Sequence, residues 1–193
     1  MFPISMISGE PLWNSLPAAK IINYPLEKAD YKPYAQARLC VSVDNFHIQM
    51  LAFEVEPDEK SIVGAALSFF PGEDGGKRYF WFSTNRRGDL VCKFIDEQNG
   101  TERDLSKNVA VRIYAGEDEQ GIYWCSNFTL PLSVVEKLMG AHHLKAGDPM
   151  KGNFYKLCDT EGKAHYGSFY PTDFTAINPL GIRFFGDFEL VEY

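Results

Sequence analysis

Cysteine is scarce in this 193-residue chain, basic residues are outnumbered, and no apolar run is long. No segment reaches 18 consecutive apolar residues, so no membrane-spanning helix is expected. The opening residues are interrupted by Pro3, Glu10, Pro11, Pro17 and Pro25 and lack a basic start followed by a continuous apolar stretch. No signal peptide is therefore expected, which predicts a cytoplasmic location if Met1 is the true start and an exported origin if it is not. Nineteen Lys and Arg against 26 Asp and Glu give a formal charge of −7. That balance argues against a nucleic-acid or anionic-membrane partner, because both demand a cationic footprint. The four cysteines, Cys40, Cys92, Cys125 and Cys158, include no CxxC pair. A zinc site or thiol redox centre is therefore not expected, and reduced structural thiols are.

The catalytic signatures are missing as well. There is no G-x-S-x-G elbow, H-E-x-x-H helix, G-x-G-x-x-G turn or EF-hand loop. Residues 71–76 (PGEDGG) precede Lys77, but Pro71 stands where a phosphate loop needs its first glycine, and the stretch reads as a turn. His142 and His143 are adjacent, so they diverge on a helix or a strand, and a solvated helix exit suits them better than a metal. Paired carboxylates occur only in loops, where nothing shifts their ionisation. No loop is dense enough in oxygen ligands to predict calcium, and no cofactor is expected. His47 and Met50 point to opposite faces of one strand, against axial haem ligation. No repeat and no Ser/Gly-rich linker divides the chain, and nothing in it sets an oligomeric state.

What is present is aromatic and strand-like: 45% of residues are apolar and 15% are Phe, Trp or Tyr. A chain of this length buries about 70% of its unfolded surface, enough for a core without staples. Residues 35–43 (AQARLCVSV) alternate strictly, Asp44 and Asn45 supply a turn, and 46–55 return, predicting a hairpin. Residues 62–70 read as a strand buried on both faces, and 78–84, 90–95, 108–115 and 122–131 as further strands. A short helix near 133–140 follows, with Ser133 and Glu136 as a capping box and Gly140 as its stop. Residues 153–159 and 182–193 complete the set. Short strands separated by turns, with one helix, predict an all-β antiparallel β-sandwich of jelly-roll or immunoglobulin-like type over 35–193. The proline-broken residues 1–34 read as an extended N-terminal arm wrapping the outside.

Several stretches together carry a family resemblance: WCSNFTLPLSVVEKLMG from Trp124, PMKGNFYKLCD, HYGSFYP and FFGDFELVE. They resemble the family 9-like carbohydrate-binding modules, β-sandwiches related to the sugar- and haem-binding DOMON domains. The matching positions are Trp124, Leu130 and Pro131, the Gly152-Asn153-Phe154-Tyr155-Lys156 strand, and Phe185-Gly186. Upstream, ARLCVSVDNFHIQMLAFEVE and SFFPGEDGGKRYFWFSTNRRGDL resemble the family's first hairpins, so the resemblance spans residues 35–191. It departs at Ser68, where the family places a Glu, and at 178–183 (NPLGIR), where it places Phe-His-Arg-Pro-Glu.

The resemblance implies a non-catalytic module whose partner is a small saccharide or glycan-like ligand. A ring stacked on an indole buries about 100 Å², worth about 2.5 kcal/mol, and planar polar groups must supply the rest. If Phe80 and Phe82 face the core, Tyr79 and Trp81 face outward. Trp81 is then the stacking candidate, unless the N-terminal arm covers it. Asn153 and Tyr155 would share a face, with Lys156 on the other, as hydrogen-bonding groups. His165 and Tyr166 sit in a loop-rich stretch where binding residues reside. Trp124 reads as core. The departures at Ser68 and 178–183 open a second reading, a structural or protein-interaction domain. An enzyme would need convergent carboxylates or a Cys-His pair, such as Cys158 near His165.

Overall fold

The computed structural model of the chain describes residues 1–27, 32–70, 77–140 and 143–193. The turn expected over 71–76 and the first of the paired histidines, His142, lie outside the described residues. In chain order the strands are β1 (Phe2–Met6), β2 (Ala19–Ile21), β3 (Ala35–Val41), β4 (Asn45–Ala52), β5 (Ile62–Phe69), β6 (Arg78–Asn85) and β7 (Val91–Asp96). They continue with β8 (Thr101–Asp104), β9 (Ala110–Asp118), β10 (Gly121–Pro131), β11 (Pro149–Cys158), β12 (His165–Ser168) and β13 (Gly186–Glu192). The helix α1 (Leu132–Met139) lies between β10 and β11. The fold is all-β with one short helix.

The strands form one continuous sheet rather than two separate ones, in the order β8-β7-β6-β5-β11-β13-β1-β3-β4-β10-β9, with β12 beside β11 and β2 beside β3. The sheet curls so that its two halves face each other. Phe46 of β4 meets Phe69 of β5 edge-on at 5.1 Å, and Phe82 of β6 meets Phe128 of β10 at 6.0 Å. Strand alternation explains which residues go inside. Val63, Ala65, Leu67 and Phe69 of β5, Phe80 and Phe82 of β6, and Leu39, Ile48 and Trp124 across β3, β4 and β10 all join the main core. The hairpin of β3 and β4 pairs as the alternation predicts, Ala35 opposite Ala52 and Val41 opposite Phe46.

Two expectations about the sheet need correction. The sheet is mixed, because β1 runs parallel to both of its neighbours, β13 and β3. The N-terminal residues, moreover, are not simply an outer wrap. Phe2–Met6 is a strand within the sheet, with Ile4 fully buried. Farther along, β2 pairs with β3, and Asn23 bridges to Ser168 while its side chain donates to the carbonyls of Ser168 and Phe169. Both attachments join the β3–β4 half to the β11–β13 half. Proline obscured this: Pro3 breaks the sequence pattern, yet a strand's first residues tolerate it.

The capping box does not form either. Pro131 is the N-cap of α1 with no side-chain cap, and the Leu132 amide donates to the Asp44 carbonyl at 2.9 Å instead. Glu136 turns to His143, 2.6 Å away. Gly140 does end the helix, at φ 110°, a conformation glycine adopts without strain. All four cysteines are buried free thiols, and burial pushes Cys40, Cys92 and Cys125 up to about 12.

Because β1 is the strand between the two halves, replacing Ile4 with Ala should lower the unfolding free energy by about 2–4 kcal/mol in urea denaturation. A loss below 1 kcal/mol would show that β1 is not a structural seam.

Candidate functional site

The outward face of β11, β5 and β6 is covered in part by residues 169–185. Tyr79, Ala66 and Tyr155 are buried there together, with Trp81, Ile95, Phe174, Leu180 and Phe185 packed around them. Asn153 fastens this cover. Its amide donates to the carbonyls of Tyr170 and Phe184, both at 3.0 Å, and to the Thr172 hydroxyl at 3.1 Å, while its oxygen accepts from the Tyr170 amide at 2.8 Å.

The cover stops short of Trp81, which stays partly exposed. Its indole lies over Gly64 of β5, so close that a methyl there would sit 2.7 Å from the ring, and its other neighbour is the Tyr155 ring at 5.7 Å. Above it opens a hollow of about 510 Å³ lined by Tyr79, Trp81, Lys93, Glu97, Glu102 and Asn178 among others. None of the described residues of 1–34 lines it. The rim is polar. Asn178 donates to Glu97 at 3.0 Å, and Lys93 pairs with Glu102 at 2.6 Å. Tyr79 packs edge-on against Phe185 at 5.2 Å, and burial, with Glu97 nearby, pushes its phenol up.

The other predicted residues do not line this hollow. Asn153 and Tyr155 share a face, opposite to Lys156, as alternation requires, but all three are fully buried and engaged inside the protein. His165 and Tyr166 are in strand β12 rather than a loop, paired with Cys158 and Leu157 of β11. Trp124 is core, 1% exposed.

Lys156 anchors a buried charged cluster at one end of the core. Its ammonium donates to Ser61 Oγ, to His165 Nε2 at 2.9 Å and to Glu54 Oε2 at 3.1 Å, so its three hydrogens are used. Glu54 also accepts from Trp124 Nε1 at 3.0 Å and from Ser61. Burial pushes the Lys156 ammonium down against the pull of Glu54. His165 Nδ1 faces the Lys163 carbonyl at 2.9 Å, which fixes a neutral imidazole with the proton on Nδ1. Burial and the Lys156 charge hold its pKa down at about 4. Both ring nitrogens are thus occupied, leaving neither to take a proton from Cys158. Glu54 and His165 border a second hollow of about 530 Å³, whose rim includes Glu27, Glu56, Asp58 and Tyr166.

Sequence reasoning missed Glu97, Glu102, Asn178 and Lys93. Glu97 lies in the turn after β7 and Asn178 in the stretch where the chain departs from the family pattern, so neither had a periodic signal.

The architecture is that of solved carbohydrate-binding proteins. A candidate carbohydrate-binding protein from Bacteroides uniformis superposes with a TM-score of 0.74 at 19% identity, covering 98% of each chain. A family 9 carbohydrate-binding module from Caldicellulosiruptor kristjanssonii in complex with glucose gives 0.60 at 11% identity, over 99% of this chain and 96% of the other. The same organism's family 9 module with cellotriose gives 0.59 at 10%, over 100% and 94%. At these identities the likeness is one of fold. No family profile and no curated protein sequence matches the chain.

Two measurements test the buried cluster. Lys156→Met strands the Glu54 carboxylate and should cost about 3–5 kcal/mol in chemical denaturation, while adding Glu54→Gln should recover much of that loss. His165 titrates near 4 when folded against 6.5 ordinarily. Its contribution is therefore complete above pH 6.5 and lost as pH falls towards 4, and His165→Gln should flatten the stability slope in that window.

Proposed function

We propose that the chain is a saccharide-binding module rather than a catalyst, with the hollow over Trp81 as its binding site. The observation that carries this is the half-exposed indole, braced from behind by Gly64 and Tyr155 and bordered by the Glu97–Asn178 and Lys93–Glu102 pairs. A sugar ring presents an apolar face to an aromatic plane and hydroxyls to planar polar groups, and this hollow offers both. The fold shared with modules solved with glucose and cellotriose supports the same reading.

The departures from the family pattern weigh less than their sequence suggests. Ser68 is buried and its hydroxyl donates to the Arg78 carbonyl at 2.8 Å, outside the hollow. Residues 178–183 contribute Asn178 and Leu180 to the lining, so the altered stretch brings its own groups. The interaction-domain reading remains the competitor. The Cys158–His165 pair that an enzyme reading requires does not line this hollow, and both ring nitrogens of His165 are bonded inside the protein.

Titration of intrinsic tryptophan fluorescence with glucose, cellotriose and a wider sugar panel should give a saturable change with millimolar or tighter Kd. Trp81→Ala should weaken it at least tenfold, about 1.4 kcal/mol, and Asn178→Ala about threefold to tenfold. Absence of a response to every sugar would favour the interaction domain.

A further inference from the structure

The outward face of the β3–β4–β10–β9 half carries a second arrangement of polar and aromatic groups, far from Trp81 in the strand order. Register places residues in rows across these four strands. Tyr34 leads into β3 beside Phe53, which follows β4, and Phe53 is beside Tyr123 of β10. The rings contact in sequence, at 5.3 Å and 5.5 Å, and all three are partly exposed. Tyr123 lies over Gly116 of β9, where a methyl would come within 2.6 Å of its hydroxyl.

Two residues farther along each of the outer strands' pairing partners, Gln36, Leu51, Cys125 and Tyr114 form the next row, and Arg38, Gln49, Asn127 and Arg112 the one after. Arg38 donates to Gln49 Oε1 at 3.3 Å, and Gln49 donates to the Tyr114 hydroxyl at 3.1 Å. Tyr34 donates to Gln36 Oε1 at 3.0 Å. This face is hydrogen-bonded into a fixed pattern yet incomplete in charge. Neither Arg38 nor Arg112 has a carboxylate partner among the described residues, and the Arg38 Nε is buried without an acceptor.

We propose that this face binds an acidic oligosaccharide, one whose sugar units carry carboxylates, independently of the Trp81 hollow. In a chain of net charge −7, two unpaired guanidiniums on one face select for an anion. Arg112 is exposed and offers the planar fork that fits a carboxylate with two parallel hydrogen bonds, while Arg38, with Nη1 on Gln49 and Nε buried, adds the charge of its remaining terminal nitrogen. The half-buried Asn127 amide between them suits hydroxyls, and the ring row flanks the guanidinium row. The two arginines sit on strands three spacings apart, about 14 Å, which fits a short chain of sugars better than a single ring.

The test is calorimetric titration with tetragalacturonate, cellotetraose and poly-glutamate against the wild type and the Arg112→Gln, Arg38→Gln and Trp81→Ala variants. Tetragalacturonate should bind wild type and Trp81→Ala alike, at least tenfold more weakly to each arginine variant, and more weakly as salt rises from about 50 to 300 mM. Arg112 is exposed, so its variant keeps the fold even if Arg38→Gln does not. No binding of tetragalacturonate, equal binding to the arginine variants, or loss with Trp81→Ala alone would overturn the proposal. Equal, arginine-dependent binding of poly-glutamate would also overturn it, since the face would then read charge and not sugar. Failure of cellotetraose at Trp81 would strike the neutral-sugar reading and leave this one standing.

Discussion

The fold closes on its own N-terminal segment. A sheet this wide would present exposed edges where its two halves meet, and unpaired strand groups at such edges are costly when buried and adhesive when not. Here β1 fills the gap with parallel ladders to β13 on one side and β3 on the other, and the bridge from Asn23 to Ser168 ties the same halves again. The inner faces are thereby held against each other around one aromatic-rich core. Both proposed sites depend on that closure, because it leaves the outward faces of the two halves distinct.

On the β11–β5–β6 half, the outward face carries an apolar cluster around Ala66, Tyr79 and Tyr155, and that cluster is covered by a lid. Residues 169–185 supply it, and Asn153 holds that lid through the carbonyls of Tyr170 and Phe184, the Tyr170 amide and the Thr172 hydroxyl. The residue in the most recognisable strand of the sequence thus positions the stretch that brings Asn178 and Leu180 to the hollow. On the β3–β4–β10–β9 half, Tyr114 and Arg112 of the outward face remain at the surface, while Gln36, Gln49, Leu51 and Cys125 between the strands are buried.

The Lys156–Glu54–His165 cluster belongs to neither face. It lies at one end of the core, where an ammonium has been taken out of water completely. Such a burial is tolerable only because every donor on Lys156 has an acceptor and Glu54 is met by Trp124 and Ser61 as well. A lysine in the middle of an apolar strand looks, in sequence, like an exposed group. The partners that make it internal come from β12, from the segment after β4 and from the residue just before β5.

Much of the architecture was legible locally. Alternation with a period of two is imposed by the strand itself, so it sorted Phe80 and Phe82 inward, Tyr79 and Trp81 outward, and Asn153 with Tyr155 against Lys156 without any tertiary knowledge. The helix stop at Gly140 was legible for the same reason, since a positive φ is a property of one residue. What alternation cannot state is what covers an outward residue. Whether Asn153 meets solvent or a lid, whether Trp81 lies open, whether a proline-broken start becomes a strand, and whether Lys156 finds a carboxylate were all decided by residues distant in the chain. Those choices rest on packing and on hydrogen bonds formed across long loops, and only the folded chain brings such partners within reach.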